Sequence, residues 1–82
     1  MNTKQFTSRH RAMLRAIADG RGQLVVKRVP NLTVDGRWCD FTATNDLIDN
    51  GLVCPAWPAP VGTRTPAVLT NAGAETLAQL TL

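Results

Sequence analysis

The chain is short of the residues from which catalytic and metal sites are built. It holds one histidine, His10, one serine, Ser8, and two cysteines, Cys39 and Cys54, with no CxxC spacing. Spacing gives no support to a Cys39–His10–Asp40 nucleophilic arrangement. A metal site needs three or four converging ligands, and here no tight pair starts one. Gly20-Arg21-Gly22 is too short for a phosphate loop, and no GK[ST] follows it. No apolar run approaches the roughly 18 residues that span a bilayer, and Met1 to Phe6 contains no apolar leader core. The expectation is a cytoplasmic, non-enzymatic protein with no catalytic residues, no metal, no other cofactor and no membrane partner. Cys39 and Cys54 then read as small buried hydrophobes, and a bridge between them requires neighbouring strands.

What is present suits one small globular domain. The 82 residues are 44% hydrophobic and 18% charged, near the lower size limit for a core without staples. A core of that size leaves room for a homodimer or a bound partner to add stability. The charge is unevenly spread. Residues 1–37 hold eight cations and two acids, whereas residues 38–82 hold one cation, Arg64, and four acids. The basic half suits phosphate or an acidic protein.

Residues 1–6 read as a short tail. A helix is predicted near 8–19, capped by Thr7 or Ser8 and stopped at Gly20, with His10, Met13, Leu14, Ile17 and Ala18 on one side. Arg11 and Arg15 share one flank of it and Arg9 lies on the other. Strand-like segments fall near 23–29 and 32–39, the second folded around an Asp35-Gly36 turn. A short helical turn within 29–36 is the alternative. The next helix spans 40–50, capped by Asp40 or Thr42 and stopped by Asn50-Gly51. Its inward face is Phe41, Thr44, Leu47 and Ile48; its outward face is Thr42, Asn45, Asp46 and Asp49. Strands near 52–57 and 67–70 flank a Pro- and Gly-rich loop, and prolines keep their paired part short. Thr70 or Asn71 caps a last helix at 71–80, with Leu77 and Leu80 inward. Trp38 is expected in the core or beneath an arginine.

Gly51-Leu52-Val53 and Val68-Leu69-Thr70-Asn71-Ala72-Gly73 bracket a helix–strand–loop–strand–helix order. That order resembles the second half of a winged helix-turn-helix domain, as in small MarR- and PadR-like regulators. The resemblance implies an α+β, winged-helix-like single domain over residues 1–82, with three helices, a β-hairpin wing and an extra strand-like segment where the family has its second helix. It also implies a small DNA-binding transcriptional regulator. Arg9, Arg11, Arg15 and Arg64 would hold the phosphates of double-stranded DNA, and Thr42, Thr44 and Asn45 would read bases. The acids of that same helix oppose a groove-reading role. The competing expectation is a non-catalytic protein-binding module on the same scaffold, contacting its partner through Asp46, Asp49 and Trp57. Small inhibitors of phage or mobile-element origin, anti-CRISPR-like proteins among them, act in this way.

Overall fold

Capping chemistry sets the three helices found among residues 6–81, the part of the chain that this computed structural model describes. Helix α1 (Ser8–Ala18) starts at Thr7, whose hydroxyl accepts the His10 N–H while the His10 ring accepts the Thr7 N–H. This is a capping box with histidine in the place usually held by glutamate. Helix α2 (Phe41–Asp49) starts at Asp40, whose carboxylate accepts the Ala43 N–H at 2.8 Å. Helix α3 (Asn71–Leu80) starts at Thr70, whose hydroxyl accepts the Gly73 N–H at 3.0 Å. Gly20 and Gly51 follow α1 and α2 with φ of 82° and 70°, a region that side chains with a Cβ rarely adopt.

The strands are β1 (Gly22–Val25), β2 (Asn31–Val34), β3 (Arg37–Trp38), β4 (Val53–Pro55) and β5 (Arg64–Leu69). They form one antiparallel sheet in the order β3-β2-β1-β5-β4. The expected turn at Asp35-Gly36 is present, with φ of 53° and 79° as a type I′ hairpin requires. Residues 31–34 are therefore a strand and hold no helical turn.

The protein is an α+β domain with the helices on one face of this sheet. Leu24 opposite Leu32, and Thr65 and Ala67 of β5, point to that face and are buried. Met13, Leu14 and Ile17 of α1 meet Ala43 and Leu47 of α2, Leu52 and Val53 there in one cluster. Phe6, Leu77 and Leu80 close its margin. Gln23, Arg64, Pro66 and Val68 project from the other face and are exposed, while Thr33 beside Gln23 is buried there.

Several sequence expectations are corrected. The first strand ends at Val25 instead of near 29, because Lys27 to Val29 form the exposed bend into β2. β5 starts at Arg64, three residues early, since Arg64, Thr65 and Pro66 pair with Val25, Leu24 and Gln23. Pro66 is tolerated because its missing N–H faces the end of the β4 ladder, where its carbonyl still accepts the Ala56 N–H. Phe41 is exposed instead of inward; the face of α2 that meets the core is Ala43, Thr44 and Leu47. Trp38 is also exposed, on the two-residue edge strand β3. Cys39 and Cys54 are free. They sit at opposite edges of the sheet, about four strand spacings of ~4.8 Å apart, beyond the reach of a disulfide.

The segments around Gly51-Leu52 and Thr70-Gly73 meet directly. The Thr70 hydroxyl donates to the Gly51 carbonyl at 2.6 Å, and the Thr70 N–H donates to the Leu52 carbonyl at 3.0 Å. A Cβ on Gly73 would lie 2.0 Å from that same Leu52 oxygen. Gly73 thus lets α3 lie against the chain entering β4. Gly73→Ala is expected to lower stability by about 1–3 kcal/mol despite alanine's higher helix propensity. The urea midpoint should fall at an unchanged slope; an unchanged midpoint would mean that the contact relaxes freely.

Candidate functional site

The N-termini of α1 and α2 open onto one surface groove of about 520 Å³, lined by Thr7, Arg9, His10, Asp40, Thr42 and Asp46 among others. His10 is buried at its base. The Thr7 N–H donates to His10 Nδ1 at 2.9 Å, so the ring proton sits on Nε2, which donates to Asp46 Oδ2 at 3.0 Å. Thr7 Oγ1 also lies 2.9 Å from Nδ1. Hydroxyl, imidazole and carboxylate thus stand in a row, but each serves the helix cap or the tie between α1 and α2. The edge of the Phe6 ring contacts the imidazole at a centroid distance of 5.2 Å.

The residues expected to hold DNA do not share a surface. Arg9 lines the groove with Thr42 and pairs with Asp40 at 3.6 Å. Arg11 and Arg15 lie on the other flank of α1, beside Thr81 at the end of α3. Arg64 projects from the sheet face opposite the helices. Thr44 is buried, with its hydroxyl donating to the Asp40 carbonyl at 2.9 Å, so it is closed to a base edge. That follows its inward position at helical spacing, next to Leu47 and Ala43. Asn45 is half-buried, Thr42 is exposed, and α2 carries no cation.

The expected protein contacts also divide. Asp46 is half-buried against His10, which takes it out of the solvent-facing acidic row, while Asp49 is exposed at the end of α2. Trp57 is exposed just beyond β4. Sequence reasoning missed Trp38 and Phe41 as surface residues. The brevity of β3, boxed between Gly36 and the Asp40 cap, was the available signal.

Among the described residues no group of three His, Cys, Asp or Glu side chains converges as metal ligands, and no helix is long and apolar enough to cross a membrane. Burial pushes the Cys39 thiol pKa up. Comparison with family models, with curated proteins and with solved structures gave no match.

Two outcomes check this geometry. Asp46→Ala leaves the buried Nε2–H without its carboxylate and should lower stability by about 1–3 kcal/mol, while Asp49→Ala stays within about 0.5 kcal/mol of the parent. Equal effects in urea melts would remove the helix tie from the account. Iodoacetamide at pH 8 should label Cys39 more slowly in the folded chain than in urea, because less thiolate is present. Peptide mapping that finds equal rates would contradict it.

Proposed function

We propose that the chain is a non-catalytic protein-binding module built on a winged-helix-like scaffold. The order α2–β4–β5–α3, with β4 and β5 as a hairpin, supports the scaffold reading. The β2–β3 hairpin stands where a winged helix has its second helix. One observation carries the functional reading: three of the chain's four aromatic rings stand in solvent, with Trp38 62% exposed and Phe41 and Trp57 each 55% exposed. A domain this small gains most from burying such rings, and exposed tryptophans are frequent anchors of protein interfaces. The helix that would enter a major groove offers Thr42, Asn45 and Asp49 there and no cation.

A second reading, a DNA-binding regulator, is favoured by the exposed Arg64 beside the β4–β5 loop. The two readings give opposite results in solution. Protein binding predicts specific capture of a polypeptide from nuclease-treated cell extract, lost in Trp57→Ala, and no retardation of duplex DNA by micromolar protein at low salt. Retardation with a log–log salt slope of roughly −4 to −5, at about −0.9 per phosphate contact, would overturn it. Tighter DNA binding by Asp49→Ala and weaker binding by Arg64→Ala would then establish the groove-reading alternative.

A further inference from the structure

Two loops join at one end of the sheet. Residues 26–30 connect β1 to β2, and residues 56–63 connect β4 to β5. Their backbones are stitched together: the Val26 N–H donates to the Thr63 carbonyl at 2.9 Å, and the Gly62 N–H donates to the Val26 carbonyl at 2.7 Å. Lys27 and Val61 each lie one residue from that junction, and Arg64 lies opposite Val25 beside it. Trp57 leaves β4 one residue after the Ala56–Pro66 bond.

The composition of this end is unusual for a solvated tip. Val61 is 80% exposed and Val29 44% exposed, alongside Trp57. Lys27, Arg28 and Arg64 are exposed, and none is ion-paired with a described residue. Most acids are committed or on other elements. Asp19 and Asp35 pair with Arg21 at the opposite end of the sheet, and Asp40, which follows β3 on the loop side, is paired with Arg9. Asp46 and Asp49 belong to α2 and Glu75 to α3. Pro58 and Pro60 restrict the longer loop, so less conformational freedom remains to be lost on binding.

Resting on the protein-binding reading above, we propose that this end is the docking surface, and that its occupant is an acidic partner segment bearing apolar side chains. Charge complementarity selects the acidic character: carboxylates meet Lys27, Arg28 and Arg64, none of which is ion-paired with a described residue. The exposed Trp57, Val61 and Val29 select the apolar part, since burying them releases ordered water at little ordering cost. A phosphate backbone would satisfy the cations and leave Val29 and Val61 uncovered.

A randomised dodecapeptide display library, panned against the full chain, tests this. Enriched peptides should place Asp or Glu beside aromatic or aliphatic residues, and a synthetic peptide of that consensus should shift amide resonances of residues 26–30 and 56–64. Lys27→Glu with Arg28→Glu, and separately Val61→Asp, should each weaken its binding by roughly tenfold or more, while Glu75→Gln leaves it unchanged. These loop positions are exposed, and unchanged amide spectra elsewhere verify the fold of each variant. A neutral or basic consensus, or binding that ignores the loop variants, overturns this docking surface and leaves the protein-binding reading standing. Failure to enrich any peptide overturns the docking surface as well. If oligonucleotides bind instead and lose affinity with the same charge reversals, both fall.

Discussion

The shared strand β5 is the constraint on which the rest of the structure depends. Its first half, Arg64 to Pro66, is bonded to β1, and its second half, Ala67 to Leu69, is bonded to β4. The N-terminal hairpins and the C-terminal hairpin therefore form one sheet instead of two. Without that pairing, β4–β5 would be a three-residue ladder, too small to persist in water. Because β5 alternates, the same pairing sends Thr65 and Ala67 toward the helices and Arg64 toward the opposite face. Arg64 is thereby parted from Arg9, Arg11 and Arg15.

The helix layer depends on close approach and on caps. Thr70 and Gly73 bring the start of α3 against Gly51 and Leu52, so the end of α2 and the start of α3 are fixed together. On the other side, His10 links the cap of α1 to α2 through Asp46. A buried imidazole bonded at both nitrogens avoids the cost of an unsatisfied polar group, and no buried side-chain polar atom lacks a partner among the described residues. What resembles a reactive row of groups is thereby occupied in holding two helices together.

The two proposals follow from where side chains remain uncommitted. Arg9, Arg21, Asp35, Asp40 and Asp46 all have partners, and the apolar residues of α1, β1 and α2 fill the core. Trp38, Phe41 and Trp57 remain more than half exposed, and the cations around the joined loops have no ion pair among the described residues. A small domain leaves large rings outside at a cost in stability, which is why their placement directs attention to a partner. The loop end combines that apolar surface with positive charge, whereas the Trp38–Phe41 edge lies beside the Asp40 cap.

Local chemistry made much of the architecture legible. Thr7, Asp40 and Thr70 as caps, Gly20 and Gly51 as stops, and Asp35-Gly36 as a hairpin turn act within a few residues, so the amino-acid order alone determined three helices and the hairpins. The inward side of α1 was legible from helical spacing for His10, Met13, Leu14 and Ile17, whereas Ala18 is exposed and Ala16 is buried in its stead. Only tertiary structure decided the pairing of β1 with β5, the separation of the cysteines to opposite edges, the exposure of Trp38 and Phe41, and the scattering of the arginines. Those outcomes depend on which strands neighbour each other across about 40 residues of chain, and periodicity along one segment carries no information about its neighbours. Composition announced a basic half and an acidic half; hydrogen bonds between distant strands determined which of those charges stand together.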